Sequence, residues 1–445
     1  MRLAFILLMA AAPKAFAADQ AARGPLSLSL KRAVEIAVSP EGNANIQLAV
    51  EALKQAQARI AESRAALLPD VESAVNYQSR TANLAAEGIK FNLPPGFPLQ
   101  IPYFVGPFTN FDARFTASQT IFDFSSIRRF QASRTTAAAA RKDVENTDEQ
   151  VAALVARAYL TAIKSDADVE TAQANVALSQ AVLVQANNQK AAGTGTGIEI
   201  TRAKVQLAND QQHFLEAQNA RRSAHLRLLR AMGASLDTEI QLTDKLGYIP
   251  IDPVALEQAK TQALATRPDY QAQKDREFTA RLSASATRLE RVPSVQAFGD
   301  YGSSGSGLQN SLPTRTYGIS VRVPLFDGGR RDARREEAAS QYRAEKVRTT
   351  DLKEQIELDV RLALDALQSA DDEVKVAKDG LELAQNELAQ ARRRYGAGVA
   401  TSIEVTDAQT RLERALDNQT GALYGYNVAK IDLAQSMGKV RSTVQ

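Results

Sequence analysis

The chain has 445 residues, a formal net charge of +3, two histidines, and neither cysteine nor tryptophan. Its near-neutral charge excludes a strongly basic nucleic-acid-binding protein and a polybasic membrane anchor. A sequence without cysteine excludes disulfide bonds, thiolate metal sites, a cysteine nucleophile and a lipid anchor on an N-terminal cysteine.

The first residues, 1–17, have the three-part pattern of a secretory signal peptide. Arg2 begins a short basic region, and the apolar run at 3–12 is too short to cross a bilayer as a mature helix. A small-residue cleavage site ends at Ala17, so we predict cleavage there and export of the mature chain. A buried N-terminal strand or helix is the alternative interpretation.

Four segments alternate apolar and polar residues with the period of a strand that has one face of each kind: 71–79, 111–122, 295–301 and 317–326. Aromatic residues concentrate around them, which in an exported protein favours the interfacial girdles of an outer-membrane β-barrel. A soluble sheet packed against helices is the alternative. Because four strands are too few to close a membrane barrel, a barrel requires several chains.

Two long segments, 128–190 and 330–394, contain no proline and have apolar residues at helical spacing. A helix of this length, about 95 Å at 1.5 Å per residue, is typical of coiled-coil packing rather than of a globular domain. Each ends at a glycine-containing turn, and a return helix follows at 198–232 or 403–437. The sequence therefore predicts two antiparallel helical hairpins.

Shorter helices are predicted before each pair of strands, at 44–67 and 268–291. Together with the return helices they match the length of the long helices, so we expect them to stack end to end beside these.

The two halves of the chain repeat each other. The motif Ile-Glu-Ile-Thr at 198–201 recurs as Ile-Glu-Val-Thr at 403–406, and a Met-Gly pair recurs at the same offset. Matching segments at one constant offset indicate an internal duplication. The predicted organisation is signal peptide 1–17, first repeat 18–233 with its hairpin tip at 193–197, linker 234–252, second repeat 253–438 with its tip at 396–401, and C-terminal tail 439–445.

The repeated plan and two local motifs resemble the TolC-like outer-membrane efflux protein family over about residues 28–438. Val-Pro-Leu-Phe-Asp-Gly-Gly at 323–329 is similar to the family's second strand-to-helix junction, and the segment 395–405 is similar to its second hairpin tip. The resemblance implies a mixed α and β membrane protein that forms a homotrimer. Its twelve-stranded outer-membrane β-barrel, four strands per chain, continues as a long periplasmic α-helical barrel of coiled-coil hairpins.

The resemblance also implies a pore constriction at the periplasmic mouth, formed by Glu404, Asp407 and Tyr395. Glu404 and Asp407 lie on one face of a helix, and threefold symmetry would make them two carboxylate rings with a formal charge near −6. Where some relatives carry an arginine in the closing network, this chain has Ala400. A solvated helix N-terminus, where acidic residues are favoured in any case, is the alternative explanation for the two carboxylates.

The implied function is that of a passive exit duct in a tripartite efflux or type I secretion system. The expected partners are two further copies of the chain, outer-membrane lipid, a periplasmic adaptor (membrane fusion) protein and an inner-membrane pump; no nucleic acid is expected. Small residues at the two tips are the predicted adaptor-docking positions: Gly193, Gly195, Gly197, Gly396, Gly398 and Ala400.

The expected location is the outer membrane of a Gram-negative-type cell, with a long periplasmic extension. A periplasmic coiled-coil adaptor or structural scaffold is the alternative function. An enzyme is not expected, and neither is a metal or cofactor, since His213 and His225 stand apart and no catalytic set or phosphate loop is present. The sequence leaves the cargo open among drugs, metals and secreted proteins.

Overall fold

The computed structural model describes residues 26–40, 42–89, 103–250 and 255–444, and the predicted signal peptide at 1–17 lies outside them. Each predicted helix and strand overlaps an element of the structure. In chain order the elements are β1 (Leu26–Leu28), α1 (Leu30–Val38), α2 (Ala44–Ala65), β2 (Asp70–Asn83), β3 (Phe104–Phe122), α3 (Phe124–Ala191), α4 (Gly197–Met232), β4 (Ile240–Leu242), α5 (Leu256–Thr266), α6 (Pro268–Leu289), β5 (Ser294–Gly305), β6 (Ser311–Arg322), α7 (Arg330–Gly396), α8 (Ser402–Ser436) and α9 (Val440–Val444).

Two very long helices, α3 with 68 residues and α7 with 67, run the length of the helical part. Each spans about 100 Å at 1.5 Å per residue. Helix α3 begins at Phe124, earlier than predicted, because the Asp123 carboxylate accepts hydrogen bonds from the Ser125 N–H at 2.9 Å and the Ser126 hydroxyl at 2.6 Å. Over the described ranges, no helix combines the length and the apolar character that crossing a membrane requires.

The return helices α4 and α8 continue end to end into shorter helices, as the sequence predicted. At the first joint the Asn43 side chain donates to the Ala231 carbonyl at 2.8 Å. Gly233 ends α4 with φ of 74°, and a Cβ there would lie 2.4 Å from the Gly42 carbonyl oxygen. At the second joint, the Thr266 hydroxyl donates to the carbonyl of Met437, just beyond α8. Both halves therefore hold one continuous helix beside one interrupted helix.

The four long strands form one antiparallel sheet in the order β2-β3-β5-β6. The strand prediction for 317–326 was wrong at both ends, since β6 begins at Ser311 and stops at Arg322. Pro324 has no N–H to continue the ladder, and Gly328 and Gly329, with φ of 69° and 84°, turn the chain into α7.

The sheet has one apolar and one polar face. Register places Val75 opposite Ala113 and Val295 opposite Val321 on the first face. On the polar face Arg114 of β3 binds Asp112 at 2.7 Å and Asp300 of β5 at 2.8 Å. The ion pair between Arg114 and Asp300 therefore links the strand pair β2–β3 of the first half to the pair β5–β6 of the second.

The largest buried cluster lies midway along α3, where α1, the ends of α4 and α8, and the two-stranded parallel sheet of β1 and β4 pack together. Tyr159 is fully buried in it, and its hydroxyl donates to the Leu28 carbonyl at 2.8 Å. Smaller clusters lie farther along the hairpins. The large core thus fixes the level at which the two hairpins join, and the tips extend away from it.

Candidate functional site

The turn of the first hairpin is closed by backbone hydrogen bonds to the end of α3. The N–H groups of Thr194 and Gly195 donate to the Gln189 carbonyl at 2.9 Å and 3.0 Å. Gly193 adopts φ of 77°, the left-handed conformation in which glycine carries no steric cost. Helix α4 then begins, with the Thr196 N–H donating to the Glu199 carboxylate at 3.0 Å.

The second hairpin tip closes in the same way as the first, with a glycine in the left-handed conformation and a backbone hydrogen bond to the end of the long helix. Gly398 adopts φ of 73°, and the Val399 N–H donates to the Arg394 carbonyl at 3.1 Å. By contrast, Gly396 is the last residue of α7, has no left-handed φ, and faces open space where a Cβ would lie. The turn therefore requires glycine at Gly398 but not at Gly396, which leaves a bare and accessible stretch of helix.

The other predicted docking residues differ from one another. Gly195 needs its small size, because a Cβ there would lie 3.0 Å from both the Gln189 Cβ and the backbone nitrogen of Lys190. Gly197 opens α4 with only the flexible Lys190 side chain nearby. Ala400 packs partly buried against the tip core, so it supports the turn rather than an exposed surface.

Tyr395 lies inside the protein rather than on its surface. It is 3% exposed and packs with Leu388 and Ala391 of α7 and Val405 of α8. Its hydroxyl is hydrogen bonded to the Gln189 side chain of the first hairpin. Within one chain, Tyr395 therefore fastens the two tips together, and it does not share the exposed surface of the two predicted carboxylates.

Glu404 and Asp407 lie exposed on the first turns of α8. The Glu404 carboxylate forms an ion pair with Arg394 of α7 at 3.6 Å, and both side chains are about half exposed. Arg394 was not among the residues predicted from the sequence, although basic residues at 392–394 complement the carboxyl end of α7. This arginine reduces the negative charge that the carboxylates place at the tip.

Asp407 lines a groove of about 350 Å³ between α8 and α4, together with Arg202 on the opposite wall. Thr201 and Gln206 extend the polar lining, and Val205 and Ile403 supply apolar walls. A second basic group, the Arg202 guanidinium, thus lines the same groove as Asp407. Charged side chains placed in this way can attract or repel ions. Among the described residues, no three His, Asp or Glu side chains converge to hold a metal.

Comparison with known proteins identifies the family. The family model described as outer membrane efflux protein matches residues 39–234 and 260–439, well over half of the chain. The chain belongs to this family. The resemblance found in the sequence is thereby confirmed, and so is the mixed α and β architecture of helical hairpins joined to a β domain.

Individual members of the family are distant in sequence. The pyoverdine export outer membrane protein OpmQ of Pseudomonas putida is 25% identical over 413 residues, which cover 91% of this chain and 84% of OpmQ. The alkaline protease secretion protein AprF of Pseudomonas aeruginosa is 23% identical over 319 residues, which cover 70% of this chain and 66% of AprF, just under two thirds. The names of both relatives describe export or secretion proteins.

The fold matches solved outer-membrane channels. The crystal structure of the Campylobacter jejuni CmeC outer membrane channel aligns with a TM-score of 0.79 at 15% identity, covering 92% of this chain and 85% of CmeC. At this identity the likeness shows the shared fold, while cargo and partners are properties of each protein.

Proposed function

We propose that the chain is the outer-membrane exit duct of a tripartite efflux or type I secretion system. It conducts cargo passively from an inner-membrane pump and a periplasmic adaptor to the outside of a Gram-negative-type cell. Three copies supply twelve strands to one barrel, and their hairpins form a periplasmic tunnel. The two-faced sheet, continuous with helices of about 100 Å, is the observation that carries this proposal.

The sheet of a single chain is incomplete in two respects. Its apolar face leaves Tyr317 82% exposed and Ile319 68% exposed, which is costly in water. Its outer strands, β2 and β6, have one edge each without a partner in the sheet order. Closure of three sheets into a ring pairs these edges and turns the apolar faces toward lipid, while the polar faces line a wet lumen.

The helices place the mouth of the duct far from the sheet. Both tips lie at the ends of α3 and α7, at the end opposite the strands. The bare glycines Gly197 and Gly396 allow close approach of a partner backbone, which supports the docking of a periplasmic adaptor there. Glu404 and Asp407 lie beside the same tips and supply the charge at the mouth.

Membrane fractionation followed by native mass spectrometry in detergent tests the proposal. The expected result is a protein that needs detergent for extraction and has the mass of three mature chains. Reconstituted in planar bilayers, this trimer should conduct ions. A folded monomer that stays soluble without detergent would overturn the proposal and favour the alternative, a periplasmic coiled-coil adaptor or scaffold.

A further inference from the structure

A buried polar network lies between the two helical hairpins. Ser179 of α3, Asp210 of α4 and Gln409 of α8 are each at most 3% exposed. Ser179 is hydrogen bonded to Asp210, and Gln409 donates to the Ser179 hydroxyl at 3.2 Å. Gln206 donates to the other Asp210 oxygen at 2.9 Å. The network therefore ties α8 to both helices of the first hairpin.

Glu413 follows one turn farther along α8 and brings a second carboxyl group to this seam. Its Oε1 atom is buried without a hydrogen-bond partner. Burial, reinforced by the carboxylates of Asp210 and Asp417, raises the pKa of Glu413 to about 7. Asp417 lies at the exposed edge, where partial burial and then the Asp168 carboxylate raise its pKa as well. We call Asp210, Glu413 and Asp417 the carboxyl cluster.

Two basic side chains of the first hairpin, His213 and Lys164, offset the negative charge of the carboxyl cluster only in part. His213 of α4 lowers the pKa of Glu413 and Asp417, but its ring is exposed and lies 3.5 Å from Glu216. Lys164 of α3 also lowers the pKa of Asp417, but its ammonium group is already paired with Asp168 at 2.7 Å.

Two arginines of α8, Arg411 and Arg414, flank Glu413 in sequence, and both are exposed. Arg411 forms an ion pair at 2.9 Å with Glu387 of α7, the other helix of the second hairpin. Among the charged groups that act on Glu413 and Asp417, the carboxylates therefore outnumber the basic groups.

We propose that the carboxyl cluster is a proton-operated catch between the two hairpins. A proton on Glu413 holds α8 against the first hairpin, formed by α3 and α4, and loss of that proton loosens the seam and favours separation of the tips. The inference rests on the proposed function, because it assigns a control to the opening of the same duct.

The direction of the pH effect, a tight seam at low pH and a loose seam at high pH, follows from the chemistry of a buried acid. A neutral Glu413 carries no charge into the buried seam, whereas the ionised form places a desolvated charge there, has a buried oxygen without a hydrogen-bond partner, and repels the carboxylates of Asp210 and Asp417. The packed seam raises the pKa of Glu413 from its ordinary value of 4.5 to about 7. Its contribution to packing is therefore fully present well below this range and is lost as the pH rises through about 7.

The position of the cluster makes this contact relevant to the mouth. Glu413 lies about 17 Å along α8 from its start at Ser402, at 1.5 Å per residue. Separation of the tips by a tilt of α8 away from the first hairpin has to open the seam at this level. A change in the seam is therefore transmitted to the tip within one rigid stretch of helix.

The experiment measures the seam directly. Because the natural chain has no cysteine, one cysteine at Gln212 on α4 and one at Arg414 on α8 can carry spin labels in the full-length protein in lipid nanodiscs. Electron paramagnetic resonance then gives the distance between labels from about pH 5 to about pH 9. We expect a longer distance at high pH, with the change falling between the ordinary pKa of 4.5 and the raised pKa of about 7.

Three variants separate the catch from other titrations. Glu413→Gln should keep the short distance at every pH, and Asp210→Asn should move the midpoint to lower pH because one repelling charge is gone. Glu382→Gln, at an exposed position of α7, should show the same pH dependence as the natural protein. A distance in the natural protein that ignores pH, or a Glu413→Gln variant that still titrates, would overturn the proposal.

The same samples distinguish this inference from the proposed function. The label distance reports the separation of two helices and does not depend on conduction. A pH-dependent distance in a protein that conducts no ions in bilayers would leave the catch standing and overturn the duct.

Discussion

The hydroxyl of Tyr395 on α7 is hydrogen bonded to the side-chain oxygen of Gln189 on α3, and this bond joins the tips of the two hairpins. Burial, followed by the nearby Glu199 carboxylate, raises the pKa of Tyr395, so the phenol stays protonated and able to donate. Movement of one tip away from the other has to break this bond. In the proposed duct, Tyr395 would therefore act on the mouth from inside the protein, through the packing of the tips.

Replacing Tyr395 with Phe removes the hydroxyl and keeps the buried ring. A hydrogen bond of this kind contributes about 1 kcal/mol, so we expect the ratio of open to closed channels to rise about fivefold. Single-channel recording in planar bilayers measures the ratio. Tyr424→Phe is the matched control, because its hydroxyl lies 3.1 Å from the Thr161 hydroxyl between α8 and α3 but away from the tips. Equal opening in both variants would contradict a special role for Tyr395.

Replacing Glu404 with Gln and Asp407 with Asn should weaken the preference for cations. Charged rings select ions in a pore narrower than the screening length, which is about 8 Å at physiological salt. The measurement is the reversal potential across a KCl gradient, with trimer stability as the control. An unchanged potential would leave the two residues as favourable acids at a helix N-terminus.

Arg394→Gln should have the opposite effect on the same measurement. Arg394 pairs with Glu404 at 3.6 Å, so its removal exposes the full carboxylate charge and should increase the preference for cations. Arg411→Gln removes the arginine of a similarly exposed pair with Glu387 and serves as the control. If both variants shift the potential equally, the effect of Arg394 is not local to the tip.

Gly396→Leu should abolish export while the trimer stays intact. The position is helical and open, so the larger side chain meets no clash, and the helix gains up to about 1 kcal/mol in stability. Loss of export with an unchanged or higher melting temperature would then come from blocked docking. Gly380→Leu is the control, since Gly380 is an open glycine on the same helix. Export that survives Gly396→Leu would contradict docking at this tip.

Gly233→Ala should destabilise the protein at the joint between α4 and α2. The left-handed conformation costs an alanine about 1 kcal/mol, and a Cβ 2.4 Å from the Gly42 carbonyl oxygen adds a steric clash. Gly88→Ala isolates the first cost, since Gly88 has φ of 75° and open space around it. Thermal melting should show a larger loss for Gly233→Ala. Equal losses would mean that the joint can relax.

The helices were predictable because proline and glycine mark where they stop. The early start of α3 was missed because it depends on the side-chain cap at Asp123, whose hydrogen bonds no periodicity reveals. The extents of β3 and β6 were missed because cross-strand pairing continues the ladder into segments with weak alternation.

The candidate site was predictable only in part. The exposed carboxylates Glu404 and Asp407 follow from the motif at the second tip. Arg394, which pairs with Glu404 across the turn of the second hairpin, was missed because the sequence does not show which arginine of 392–394 faces α8. Gln189, which binds Tyr395, could not be assigned, because tertiary packing rather than local sequence brings the first hairpin against the second. The burial of Tyr395 has the same origin.

In the proposed duct, the joint at Gly233 would also set how far the tip of the first hairpin moves for a given change elsewhere. Helix α4 extends 36 residues from this joint to the tip, a lever of about 54 Å. A rotation of about 5° at the joint displaces the tip by about 5 Å, the scale of a helical turn. Helix α3 has no such break at this level, so the same displacement has to bend it elastically. In each hairpin a continuous helix, which can only bend, thus runs beside a helix that can rotate at its joint. A substitution at Gly233 should therefore alter the resting diameter of the mouth, although this residue lies far from it.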